Sequence, residues 1–379
     1  MTPRDNGGVT ALAIPAAVLI RARDTAAAVS ALLGVAVGAD ELLTGRAALL
    51  GLSAGGRVSA GGATRLLGTR DGWCALTLSR GDDIDAVPAL LETDARDSDP
   101  WPAIAEWAAC RTAADAVARA RLLGLPAAVL GETAPASPVV RPLGRPATPR
   151  STTGLLVADL SSMWAGPLCG QLLTQSGATV VKVESPHRPD GTRAGAPAFF
   201  DWMNHGKLAY AVEFDLATDL RTLLGAADVV IEGSRPAALR RRSLGPHDID
   251  GRDGRVWLRI TGHGTAGDRG EWVAFGDDAA VSGGLVVAGA DGPEFCGDAI
   301  ADPLTGLHAA QAVAESLGRG GGELVEVSMA AVAACYADAA GPADQVQALA
   351  PSSPGRAAAL GADNASVAAM AARRRPAPC

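Results

Sequence analysis

Between residues 155 and 262 short apolar runs alternate with segments of helical period, and this alternation restricts the fold more than any other feature of the chain. "LLVADL" (155–160), "TVVKVE" (179–184), "KLAYAVEFD" (207–215), "DVVIEG" (228–233) and "RVWLRITG" (255–262) read as strands. "GPLCGQLLTQSG" (166–177), "LATDLRTLLGAA" (216–227) and a segment around 236–242 read as helices. Short apolar strands separated by helices form βαβ units, so a parallel sheet covered on both faces is expected. The fold class that follows is α/β: a doubly wound, Rossmann-like parallel-sheet domain accompanied by a smaller α+β domain. The ligand site of such a sheet is expected beyond the carboxyl ends of its strands.

The remaining sequence divides around that domain. "GETAPASPVVRPLGRPATPRSTTG" (131–154) is dense in Pro, Ser, Thr and Gly and reads as an extended connector. It separates residues 1–130, the smaller α+β domain, from the large domain at 155–340. Within the smaller domain "TRLLGTRDGWCALTLS" sets an "RDG" turn between two strand-like runs, and a helical stretch follows at 100–124. A tail, 341–379, opens with the loose segment "GPADQVQALAPSSPGRAAALGADN".

Composition removes several function classes. The chain is 48% apolar and 20% charged, which is globular, and its net charge of −8 argues against nucleic acid as a partner. The six cysteines form no CxxC pair and no His/Cys cluster, which predicts reduced thiols in a cytoplasmic protein and no metal site. No apolar run approaches the ~20 residues of a membrane span. "VTALAIPAAVLI" near the start reads as a buried element, since Asp5 precedes it and "RARD" follows. The loop after the first strand of the large domain, "SSMWAGPLCG", lacks GxGxxG, and neither Walker A nor HExxH occurs, which weighs against dinucleotide, nucleotide and zinc-protease chemistry.

Three segments carry candidate site residues. In "CGDAIADPLTGLHAAQAV" (296–313) Asp302 precedes Pro303 and a helical run. It reads either as the N-cap of that helix with Pro at N1, or as a reacting carboxylate, and the local pattern supports both. "SRPAALRRRSLG" (234–245) places Arg235, Arg240, Arg241 and Arg242 just beyond a strand, as a solvated face or a phosphate grip. Lys207 in "MNHGKLA" is a turn charge or a further phosphate contact.

Taken in order, "VADLSSMWAGPLCGQLLTQSGATVVKVESP", "MNHGKLAYAVEFD", "ADVVIEGSRPAAL", "ITGHGTAGDRG", "ADPLTGLHAAQAV" and "GRGGGELVEVSMAAV" resemble the class III CoA-transferases. That group includes the formyl-CoA, carnitine and 2-hydroxyacyl CoA-transferases and, as a branch, the α-methylacyl-CoA racemases. The resemblance implies that Asp302, and not Asp298, is the catalytic nucleophile. With a pKa of about 4 it would be ionised at neutral pH and need no base. The resemblance also implies coenzyme A and acyl-CoA as substrates, with no permanently bound cofactor, and CoA contacts from Lys207, Arg235 and Arg241. A carboxylate acceptor, a homodimer, and oxyanion stabilisation by N–H groups of the helix that carries Asp302 complete the expectation.

The chain also departs from the family's pattern. Gly233-Ser234-Arg235-Pro236-Ala237 stands where the family commonly has Asn-Phe-Arg-Pro-Gly, and Leu208 replaces an Arg after Lys207. Gly276 occupies the place of the racemase branch's His. Residues 61–130 resemble the family's small domain yet precede the large one, so the order looks permuted, while "GRAAALGADNASV" (355–367) resembles the family's tail in its usual place. Residues 61–130 are then expected to pack over the mouth of the large domain near Asp302. Two other readings remain at this stage, a non-catalytic CoA-binding paralogue that serves as an assembly partner, and a racemase-like enzyme.

Overall fold

The computed structural model describes residues 10–94, 98–215, 218–339, 342–352 and 355–374. The start of the helix expected from 216, the junction of large domain and tail at 340 and 341, the first nine residues and Cys379 lie outside the described residues.

The chain opens with β1 (Ala11–Ile14), α1 (Ala16–Leu33) and α2 (Ala39–Leu50). A small unit follows: β2 (Thr64–Gly68), β3 (Trp73–Thr77), α3 (Gly81–Asp85), α4 (Val87–Leu91), α5 (Trp101–Ala109), α6 (Ala113–Leu122) and β4 (Ala127–Val129). Its three strands pair antiparallel, and Asp71 and Gly72 turn β2 into β3 where the "RDG" signal predicts.

The large unit then runs β5 (Val139–Pro142), β6 (Leu156–Asp159), α7 (Ala165–Gln175), β7 (Thr179–Glu184), α8 (Pro197–Asn204), β8 (Leu208–Ala211) and α9 (Thr218–Ala226). It continues with β9 (Val229–Glu232), α10 (Pro236–Arg240), β10 (Val256–Thr261), α11 (Gly276–Ser282) and the hairpin β11 (Val286–Gly289) and β12 (Gly292–Phe295). The last elements are α12 (Ala301–Gly318), β13 (Glu323–Ser328), α13 (Met329–Ala337), β14 (Asp344–Gln347) and α14 (Asn364–Arg373).

Seven strands form the central sheet in the order β5-β13-β10-β9-β6-β7-β8, all parallel except β5, which pairs antiparallel with β13. Because successive strand residues point to opposite faces, two cores arise. Val157, Val229 and Ile231 pack with Leu168, Leu304 and Leu307 on one face, while Leu156, Val230 and Trp257 pack with Leu220, Leu223 and Val367 on the other. β6 lies beside β9, with β7 and β8 beyond it, so the strand order reverses between β6 and β9. In open parallel sheets the crevice at such a reversal, outside the carboxyl ends, is where ligands bind.

The structure redraws the expected division of the chain. Residues 11–50 are not part of the small unit: Leu12, Ile14, Val18, Ala22 and Leu43 belong to the large core, and β1 pairs with β14. The recurrence of Val18, Ala22, Ala26 and Val29 at helical spacing is the apolar stripe that α1 presents to α12. The connector is extended but contributes β5 to the sheet margin, where Pro142 is tolerated. The tail is built in as well, since Asp363 and Asn364 accept hydrogen bonds from the Ala209 and Ala211 N–H groups on the outer edge of β8. The small sheet rests on α11 and β12 through Leu66, Ala75, Val281 and Phe295.

Helices α12 and α7 approach each other closely, and Gly306 permits it. A Cβ at this position would lie 2.7 Å from Leu168 Cδ2 and 2.9 Å from the Ala165 carbonyl oxygen. The leucine end can shift but the carbonyl is backbone. Gly306→Ala is therefore expected to destabilise the protein by about 1–3 kcal/mol in urea unfolding, and an unchanged midpoint would show that the two helices separate freely.

Candidate active site

The site is assembled around the loop that leaves β6. Asp159, the last residue of that strand, accepts from Ser161 N–H at 3.0 Å and from Lys207 Nζ at 2.9 Å. Lys207 also donates to the Pro167 carbonyl at 2.8 Å and to Asn204 Oδ1 at 3.0 Å. Burial would raise the Asp159 carboxyl, but the Lys207 and Lys182 ammonium groups hold it below the usual carboxylate range. Lys207, expected at a CoA phosphate, is thus a buried ion-pair partner whose three donors are all occupied within the fold.

A second buried pair shapes the same loop. Lys182 Nζ donates to the Ser161 carbonyl and, at 2.8 Å, to Asp190 Oδ2. Asp190 in turn accepts from Met163 N–H at 3.2 Å and Thr192 N–H at 3.0 Å. Met163 is held at φ 73°, a left-handed conformation that costs a non-glycine residue about 1–3 kcal/mol. The turn delivers the chain into α7, whose first residues are packed so tightly that a Cβ on Gly166 would lie 2.2 Å from Ser161.

Asp302 faces that helix start. The N–H of Ala165, the first residue of α7, acts on its carboxylate and favours the ionised form, so this backbone dipole comes from α7 and not from the helix that carries Asp302. Asp302 is also not the cap. Ile300 is the N-cap of α12, and Ala299, at φ 43°, turns the chain and accepts from Asp302 N–H at 2.9 Å. Pro303 therefore falls within the first turn, where its missing N–H has no helical partner to lose. On the far side Gly276 abuts the carboxylate, since a Cβ there would lie 2.3 Å from Asp302 Oδ2.

Three more carboxylates and one guanidinium complete the surroundings. Arg46 Nη1, from α2, donates to Asp298 Oδ1 at 2.6 Å, and Asp298 Oδ2 is buried without a partner. Asp277 Oδ1 accepts from Ala299 N–H at 2.9 Å, and Asp278 Oδ1 accepts from Thr77 Oγ1 at 2.9 Å. Burial, with Asp277 and Asp298 adding repulsion and Arg46 opposing, pushes Asp302 up to about 7. The expectation of an ordinary aspartate, fully ionised at neutral pH, is corrected accordingly. Burial likewise pushes Asp277 up to about 6 and Asp278 up to about 7, and raises Asp298.

Arg235 and Arg241 flank α10, at its N-cap and just past its last turn, on the carboxyl side of β9. Both are exposed, and neither makes an ion pair with a described residue, whereas Arg242 is paired with Asp215 at 2.6 Å. Gly233 adjoins Ser161, with a notional Cβ 3.1 Å from its Cβ, so the Arg235 segment borders the loop that leads to α7. The structure thus brings the start of α10, the β6 loop and Asp302 around the strand-order reversal. Arg46 is invisible to sequence reasoning because "TGRAALLG" has no motif and lies far from Asp302 along the chain, and "GDDAA" stands out only for the His it lacks.

Residues 153–367 match the profile of CoA-transferase family III. The chain belongs to this family. This member of family III is 27% identical over 199 residues to a succinyl-CoA–D-citramalate CoA-transferase of Chloroflexus aurantiacus, covering 48% of this chain and 50% of that one. It is 31% identical over 192 residues to a succinate–glutarate CoA-transferase of Agrobacterium fabrum, covering 44% and 46%. A crystal structure of a hypothetical protein from Mycobacterium tuberculosis aligns with a TM-score of 0.46 and 30% identity over 52% of this chain and 58% of that one. The chain spans about half the length of the curated relatives it matches. Among the described residues of this family III chain, no helix is long and apolar enough to cross a membrane, and the five cysteines are unpaired.

The raised carboxyl of Asp278 has a consequence for stability. A carboxyl whose folded pKa lies above its unfolded value contributes stability that is present at low pH and lost as pH rises through the folded value. Asp278→Asn keeps the shape and removes the charge. The variant is expected to be more stable than the parent at pH 8, by at least about 1 kcal/mol, because a tenfold change in proton affinity is worth ~1.4 kcal/mol. At pH 5, only about one unit above the unfolded value of ~3.9, the gain should be smaller than at pH 8 by about 2 kcal/mol or more. Equal stability at both pH values in urea unfolding would contradict this.

Proposed function

We propose that this chain is an acyl-CoA:carboxylate CoA-transferase with Asp302 as its covalent nucleophile. The observation that carries the reading is the Asp302 carboxylate set against the Ala165 N–H at the start of α7, beside the crevice where the strand order reverses. The relatives' names, which specify CoA transfer between succinyl-CoA and D-citramalate and between succinate and glutarate, support the reaction class.

In this reaction the carboxylate attacks the thioester carbonyl of an acyl-CoA, the C–S bond breaks, and CoA leaves as thiolate from a mixed anhydride. The thiolate attacks the aspartyl carbonyl, releasing the first carboxylate and leaving an aspartyl-CoA thioester. An acceptor carboxylate attacks that thioester and the thiolate returns to the acceptor's acyl carbon, regenerating Asp302. Each addition places negative charge on a carbonyl oxygen, and the Ala165 N–H is positioned to stabilise it when the oxygen is the aspartyl one.

Gly276 favours transfer over racemisation. Racemisation at the acyl α-carbon needs an acid and a base, and the position beside Asp302 holds no side chain and has no room for one. Arg235 and Arg241 are assigned to the CoA phosphates, because each is an exposed guanidinium without a counter-ion among the described residues, at the carboxyl end of the sheet. Lys207 supports the site from within, by fixing the β6 loop. A cytoplasmic homodimer is part of the same reading, as is a small unit (61–130) displaced to the front relative to the family's usual order.

Asp302→Asn is expected to fold normally and to lose transfer by at least about a thousandfold in a succinyl-CoA-to-carboxylate assay. Retention of activity in that variant would overturn the reading. Arg235→Ala and Arg241→Ala are each expected to weaken CoA about tenfold by calorimetry, with a larger effect at low salt. Unchanged affinity in both variants would remove the phosphate assignment.

A further inference from the structure

The charge around Asp302 is unbalanced, and the group that offsets it comes from outside the segment matched to the family. On α11, Asp277 faces Asp302, with Asp278 beside it bonded to Thr77; Asp298 faces it from the loop before α12. α7 contributes the Ala165 N–H and carries no Asp, Glu, Lys, Arg or His, and α13 carries none either. The cations of α1 are engaged elsewhere, Arg21 with Asp338 and Arg23 with Asp40. On α12 itself His308 is bonded to the Tyr336 hydroxyl. Among the described residues Arg46 is the cation that most strongly favours the ionised form of Asp302.

Its placement is tightly specified. The guanidinium carbon lies 5.6 Å from the ring centroids of both Trp164 and Phe199. Trp164 is the N-cap of α7, directly preceding Ala165, so the cation is stacked on the neighbour of the N–H group that acts on Asp302. Gly45 lets α2 come close enough, since a Cβ there would lie 2.7 Å from the Trp202 ring and 3.2 Å from Pro351. From the other side Gly61 borders Arg46 Nη2, with a notional Cβ at 3.4 Å. One guanidinium is thereby held between Asp298 and two aromatic faces, a geometry suited to Arg and not to a mobile surface charge.

We propose that Arg46 is a positioning residue of the transfer site: supplied by the N-terminal segment, it keeps Asp302 in the anionic form that attacks a thioester. The inference rests on Asp302 being the nucleophile. A carboxylate among three other acids in a partly dry site must lose its proton before it can react, and one fixed cation favours that loss. Asp298 plays a double part, anchoring Arg46 while competing with Asp302 for its charge.

The test is the pH profile of Asp302 acylation by succinyl-CoA, between pH 5.5 and 9, in the full chain. Arg46→Gln is expected to move the acid limb upward by one pH unit or more. Acylation would then be at least tenfold slower on the acid side and near the parental rate at pH 9, and Arg46→Lys should restore most of the acid-side rate. Asp298→Asn, which removes the competing charge and covers the case in which Arg46→Gln does not fold, is expected to move the limb downward. A limb that stays in place in Arg46→Gln, with the rate either parental or uniformly lowered, would overturn the proposal. So would an upward or absent shift in Asp298→Asn. Infrared difference titration of the Asp302 carboxyl, parent against Asp302→Asn, reads the same shift without substrate. A shift there with no acyl-enzyme would reject Asp302 as nucleophile while upholding the action of Arg46 on it.

Discussion

Everything at the candidate site depends on how closely α12 approaches the start of α7. Gly306 removes the side chain that would collide with the Ala165 carbonyl, and Gly166 does the same against Ser161. With both in place, Asp302 comes within range of the Ala165 N–H, one of the donors that a helix start leaves without an internal partner. The pairing of Asp302 with a glycine four residues later, visible in "ADPLTG", is thus a packing requirement as much as a chemical one. The strained turn at Met163, pinned by Asp190 and Lys182, fixes the other side of that contact.

Charge is the second constraint. Two buried lysine–aspartate pairs, Lys207 with Asp159 and Lys182 with Asp190, are internally balanced and act as rivets. Breaking such a pair by removing one partner is costly because the other charge remains in a poor solvent. Around Asp302 the balance is different: burial, with repulsion from Asp277 and Asp298 added and Arg46 opposing, pushes the carboxyl up to about 7. A carboxyl poised there responds to any change of charge or solvent in its surroundings.

Much of this is legible in the chain. The parallel sheet can be read because its strands are buried on both faces and so appear as continuous apolar runs; "DVVIEG" becomes β9 and "LLVADL" becomes β6. The strand ends, and with them the neighbourhood of Arg235, follow from the same pattern. What escapes is non-local. Lys207 looks like a free charge because its partner, Asp159, lies on another strand. The start of α12 is hidden because the positive φ of Ala299, which sets the cap at Ile300, has no glycine to announce it. Residues 11–50 group with the small unit by sequence order, which does not say which core an amphipathic helix joins, and Arg46 is lost with them.

The account stands on one covalent bond. Incubating the protein with succinyl-CoA and hydroxylamine, then mapping peptides by mass spectrometry, reads that bond directly, because hydroxylamine converts an activated aspartyl group to a hydroxamate. The account predicts a hydroxamate at Asp302, formed only when acyl-CoA is present and absent from Asp277, Asp278 and Asp298. A hydroxamate at any of those three instead, or succinyl-CoA turnover with Asp302 unmodified, would contradict it.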